Sequence, residues 1–159
     1  MLQHHAHPGP PAVWDAAFAD ADDCLLSSDQ CVIDAQHYVV KGLIEMPVVG
    51  SGELFSWGVW VFLSRENFSR AADLWYTAGR ECEEPYFGRL TTELLAYPST
   101  TLNLRNRVHI RPVGERPCVE LEPTGHPLAV EQRTGITLER VRDVAAGVLH
   151  PGGDRGRQP

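Results

Sequence analysis

The string Phe55-Ser-Trp-Gly-Val-Trp-Val-Phe-Leu63 is apolar on both faces of an extended chain. Phe55, Trp57, Val59, Val61 and Leu63 point one way and Trp60 and Phe62 the other, which predicts a strand covered on both sides at the centre of the fold. Directly behind it Ser64 is a good N-cap. Phe68, Ala71, Ala72 and Trp75 then recur at helical spacing, predicting a helix to about Tyr76 with Gly79 past its end.

Upstream, β-branched and aromatic residues cluster in 31–34 and 37–46, which predicts two strands around a tight Asp34-Ala-Gln turn, the second stopped by Pro47. Gly50-Ser-Gly52 turns the chain into the central strand, giving an antiparallel hairpin. Downstream, 81–85 reads as an exposed acidic loop, and a further strand is expected within 86–97. Residues 107–111 and 118–122 both alternate polar with apolar and are joined by Pro112-Val-Gly-Glu-Arg-Pro117. Symmetric closure of that pair would face Ile110 with Val119 and Val108 with Leu121 inside, and His109 with Glu120 and Arg107 with Glu122 outside. Pro127 suits the first position of a short helix over 127–132 closed by Gly135. Thr137 caps a second with the stripe Leu138, Val141, Ala145, Val148 and Leu149, ended by Pro151-Gly-Gly.

The predicted fold class is α+β: one domain over 24–150 with a mainly antiparallel sheet of about five or six strands. Two principal helices, following Ser64 and Thr137, are expected on one face. Residues 1–23, without clear periodicity, are expected to be a flexible N-terminal arm with at most one short helix, and 151–159 a disordered tail.

At 159 residues the chain has one domain's length and can bury a real core. Fourteen basic against 21 acidic residues give a net charge of -7. That balance repels phosphate backbones, so nucleic acid is not expected as a partner. No apolar run nears the roughly 20 residues a membrane span requires. Cys24, Cys31, Cys82 and Cys118 fit no Cys-x-x-Cys metal or redox spacing. Met1 to Pro11 lacks a basic and an apolar signal region, so the expected location is cytoplasmic, with reduced thiols.

The sharpest polar constellation is Arg107, His109, Arg111, Glu120 and Glu122 on the last hairpin, followed by His126, Glu131 and Gln132. A histidine beside a carboxylate can exchange protons near neutral pH or hold an anion. The bland reading is a wet sheet face with weak cross-strand ion pairs. His109 and His126 with Glu120 or Glu122 have no metal-ligand spacing, so no metal and no cofactor are expected. A Gly-x-Ser-x-Gly elbow is missing, Gly50-Ser-Gly52 precedes a strand rather than a helix, and Cys31 and Cys118 read as small packing residues. Trp57, Trp60, Trp75, Tyr86 and Phe87 could line a pocket for a flat or cationic ligand, though core packing accounts for most of them.

Leu26-Ser-Ser-Asp-Gln-Cys31, the run from Phe55 to Phe68, Glu84-Pro-Tyr-Phe-Gly88, Thr101-Leu-Asn-Leu104 and Glu120-Leu-Glu-Pro-Thr-Gly-His-Pro-Leu-Ala-Val-Glu-Gln132 together resemble the DUF2199 family of bacterial proteins. The likeness covers roughly 11–150. It implies a domain of unknown function with no catalytic residues to carry over. Family members often begin with a Cys-x-x-Cys segment, which this chain lacks, so a metal role inferred for relatives does not transfer. The functional expectation is a ligand- or protein-binding module using the polar hairpin face, with a small molecule or protein as partner. The alternatives are a small hydrolase or acid-base enzyme using His109 and Glu120 with Arg111 as anion clamp, and a toxin-neutralising, immunity-type protein.

Overall fold

The computed structural model describes residues 3–6, 25–26, 30–33 and 36–149. Among them eight strands make one sheet: β1 (Gln3–Ala6), β2 (Leu25–Leu26), β3 (Gln30–Ile33), β4 (His37–Pro47), β5 (Leu54–Leu63), β6 (Tyr86–Leu90), β7 (Arg105–His109) and β8 (Cys118–Leu121). Three helices, α1 (Arg65–Asp73), α2 (Pro127–Thr134) and α3 (Leu138–Leu149), and one 3-10 turn, Arg80–Cys82, complete the described elements.

From β4 to β8 each strand pairs antiparallel with the next, and β8 then returns to β4. Five strands of alternating direction leave the first and last pointing the same way. The closing pair is therefore parallel, at Leu43 and Cys118, with the Leu43 amide donating to Pro117 O at 2.9 Å. This corrects the plain antiparallel sheet: the sheet is mixed, and five of its strands close into a barrel. Alternation along a strand tells which side is buried, and it is silent on whether the far edges meet. β1 runs parallel to Leu54–Trp57 on the edge of β5 opposite β4, so Gln3–Ala6 of the expected arm is a strand. Residues 1–2 and 7–23 of that arm, the whole of the expected tail 151–159, and the Asp34-Ala35 part of the expected tight turn lie outside the described residues.

The barrel is filled from every strand by Val40, Ile44, Met46, Val59, Val61, Leu90, Val108, Val119 and Leu121. Five strands enclose less space than the eight that just accommodate side chains. Two glycines supply the missing room: a Cβ on Gly42 would lie 2.6 Å from Val119 Cγ2, and one on Gly88 2.5 Å from Val61 Cγ1. On the other face of β5 Trp60 is 5 % exposed, with Lys41 Nζ 6.0 Å from its ring centre. The two-sided burial predicted for this strand is therefore observed.

The helix caps follow the sequence reading. Ser64 Oγ accepts from Asn67 N at 3.1 Å, Pro127 is the first residue of α2 with Gly135 at its end, and Thr137 Oγ1 accepts from Arg140 N at 3.1 Å. α1 stops at Asp73, earlier than expected, and Tyr76 is exposed. In α3, Val141 and Val144 reach the core while Leu138 and Ala145 face outward. The helices do not share one face of the sheet. Ala71 and Leu74 lie with Val40, Leu63 and Val108 at the end of the barrel where β4 begins. The α2–α3 linker is fastened where β4 ends, through Ile136 N to Pro47 O and Val49 N to Ile136 O, both 2.8 Å. A closed barrel offers two ends to cover, and the helices divide them.

The β7–β8 register also differs from symmetric closure. Val108 faces Val119, Asn106 faces Leu121, Arg107 faces Glu120 and His109 faces Cys118. This is a slip of two residues, which keeps every side chain on its predicted face and changes each partner. The longer connection follows from Ile110 and Arg111 leaving the strand, where Arg111 O accepts from the Arg80 guanidinium at 2.7 Å.

Candidate functional site

The outer face of β7 and β8 brings together five of the eight candidate residues. His109 Nε2 lies 2.8 Å from Glu120 Oε1, a diagonal contact, with the two side chains 40 % and 60 % exposed. Arg107, although directly opposite Glu120, makes no ion pair with it. Glu122 continues the row, its amide donating to Arg105 O at 3.0 Å. Arg107, Glu120, Leu121, Glu122 and Pro123 border an open depression of about 440 Å³.

Arg111 stands at the end of this row and is bound in the fold by Glu45 of β4. Its two terminal nitrogens bond the two carboxylate oxygens, Nη1 to Oε2 at 3.2 Å and Nη2 to Oε1. The Glu45 bond holds the guanidinium above its ordinary range. Cys118 lies beneath. Burial pushes its thiol up, against the pull of the nearby Arg111 charge, so it is a poor nucleophile at neutral pH.

The remaining three candidates belong to α2 or cap it, and act as fasteners. His126 caps that helix: Nδ1 accepts from Leu128 N at 3.0 Å, which leaves Nε2 as the donor to Thr100 O at 3.0 Å and Ser99 O at 3.3 Å. Glu131 Oε1 accepts from the Tyr97 hydroxyl at 2.6 Å, and that hydroxyl accepts from Trp57 Nε1 at 3.1 Å. Burial, then the bond to Glu131, raises the Tyr97 hydroxyl well above its usual range. Gln132 imitates a neighbouring strand, taking Leu121 N on Oε1 and giving Nε2 to Val119 O, both at 2.8 Å. It thereby satisfies the length of β8 that lies beyond its single pairing with β4.

Arg80 was invisible to the sequence reading. It is 7 % exposed and its guanidinium serves four carbonyls: Arg111 at 2.7 Å, Trp75 at 2.9 Å, Glu115 at 3.0 Å and Pro112 at 3.1 Å. The loop between β7 and β8 is thus gripped from below, and nothing local to Gly79-Arg80 announces it. Beside Arg80 the barrel end contains only a small apolar cavity of about 20 Å³, bordered by Trp75, Tyr86 and Ile110. Trp57, Trp60 and Tyr86 are core residues, and Phe87 is exposed on the outside.

Among the described residues no group of three or more His, Cys, Asp or Glu is arranged to hold a metal ion, and no helix is long and apolar enough to cross a membrane. A family model described as an uncharacterized protein conserved in bacteria (DUF2199) matches residues 4–136. No curated protein and no solved structure matches the chain.

Proposed function

The chain belongs to the DUF2199 family, and from that premise we propose that it is a binding module which presents the outer face of β7 and β8 to a small-molecule or protein partner. Arg107, His109, Glu120 and Glu122 make the contacts, and Arg111, held by Glu45, stands at the end of the row. The observation that carries this reading is the openness of the His109 and Glu120 pair, 40 % and 60 % exposed. Groups that handle protons in catalysis work best desolvated at the floor of a concavity, whereas recognition surfaces leave them accessible. The second reading, acid-base catalysis, draws on the same 2.8 Å contact, since Glu120 would orient the imidazole.

The test is a thermal-shift ligand screen run in parallel on the native chain and on H109A/E120A. The pair is solvated, so the double variant should fold with a stability change under about 0.5 kcal/mol. A ligand that raises the melting temperature of the native chain and not of the variant is the expected result. Equal shifts in both proteins would sink the binding reading. Turnover of a bound compound that is lost in the variant would favour the catalytic one.

A further inference from the structure

Next to the hairpin face, the outward positions of β6 and β7 include Phe87, Arg89, Arg105 and Arg107, all exposed. The register sets Phe87 opposite Arg107 and Arg89 opposite Arg105, making a two-by-two array. Phe87 is 44 % exposed, and the guanidinium carbons of Arg105 and Arg89 lie 5.3 and 6.0 Å from its ring centre. The ring holds two cations in place ahead of any contact, which lowers the ordering cost of binding an anion.

None of Arg89, Arg105 and Arg107 forms an ion pair among the described residues. In a chain of net charge -7, three guanidiniums without an ion pair on one small area form a positive patch, bordered by Glu120 and Glu122 on the next strand. We propose that this patch docks an extended acidic segment of a partner protein. The inference rests on the binding-module reading and names the chemistry of the partner.

Two features favour a peptide over a polyphosphate. Arg105 and Arg107 share a face two residues apart, roughly 6.8 Å, the spacing of carboxylates at alternate positions of an extended chain. The guanidinium forks take a carboxylate or a phosphate equally well, so the choice falls to the surroundings. The patch is also narrow. One strand over, roughly 4.8 Å away, β8 and the residue after it present Glu120 and Glu122, which would repel a continuing phosphate backbone while accepting a lysine or arginine of a peptide. β6 and β7 are each paired on both sides within the barrel, so recognition falls to side chains rather than to strand addition.

Fluorescence anisotropy tests this with a short dye-labelled peptide in which glutamate alternates with threonine, its glutamine counterpart, and an oligothymidylate of equal charge. The full chain should bind the glutamate peptide saturably at low salt and should not bind the glutamine one. R89A/R105A should weaken binding by about tenfold or more, and F87L, which keeps every charge and frees the arginines, by several fold. Circular dichroism would verify that both variants remain folded. Lack of saturation, equal affinity in R89A/R105A, or preference for the oligothymidylate would overturn the proposal. If a screening ligand depends on His109 and Glu120 while the glutamate peptide fails, this inference falls and the binding-module reading stands. If both fail, both fall.

Discussion

The β4–β5 and β7–β8 ribbons belong to one barrel and are held in opposite ways. β4 and β5 share ten paired positions and β5 buries side chains on both faces, so the ladder holds its own register. β7 and β8 share four, bury one face, and are gripped from elsewhere in the chain by Arg80 and Gln132. β6 lies between these regimes, tied at its start by the Tyr86 hydroxyl donating to Glu83, which Arg70 of α1 also holds. The lesson is that a short amphipathic strand can be placed by side chains acting as substitutes for the neighbour it lacks.

The largest expected effect tests the self-held ribbon. Trp60→Ala should cost roughly 3–5 kcal/mol in a chemical denaturation curve, and an unchanged midpoint would mean that the outer side of β5 carries no packing. Arg80→Ala should come next, at roughly 3 kcal/mol, because four carbonyls lose their donor. Arg80→Lys should recover little, since an ammonium lacks the planar fork that reaches several acceptors. Gln132→Ala should cost roughly 1–2 kcal/mol, and amide exchange should quicken at Leu121 while the β4–β5 amides keep their protection. If both ribbons loosen together, the two are one cooperative unit and the contrast fails.

The smallest effect is acid-dependent. Arg70, then the Tyr86 hydroxyl, holds the Glu83 carboxyl down to about 2. A depressed carboxyl stabilises the fold above its unfolded value of 4.5, and this contribution drains away as pH falls from there toward about 2. Glu83→Gln should lower the melting temperature slightly near neutrality, where the native contribution is fully present, and flatten its fall with acid in that window, so that the two proteins converge toward pH 2. An identical acid slope in the variant would show that the tie from α1 to β6 carries no linkage.

Much of the self-held region was legible in the sequence. The two-sided apolar run of Phe55 to Leu63, the Gly50 turn and the Ser64, Pro127 and Thr137 helix starts are local signals, each written within a few residues. Closure of the barrel was not legible, because the Leu43–Cys118 contact joins positions far apart in sequence and no pattern near either one encodes it. The hairpin register was half legible: alternation fixed the faces of Val108 and Val119, while Arg80, distant in the chain, decided the partners. The candidate site divided for the same reason. His109 and Glu120 were reachable from alternation, but the work of His126, Glu131 and Gln132 depends on Thr100, Tyr97 and Leu121, which only the folded chain brings near. The patch around Phe87 could have been found, since Phe87, Arg89, Arg105 and Arg107 occupy alternate positions of two short strands.

Gly42 has a consequence beyond its packing. It sits next to Leu43, the one residue of β4 registered with β8, and it touches Val119 of that same strand. The cylinder therefore has a single thin seam, sealed by one rung and a residue without a side chain. A methyl group inserted there would press on the Val119 side chain and the Pro117 carbonyl, the two groups of the opposite stave that the seam brings closest.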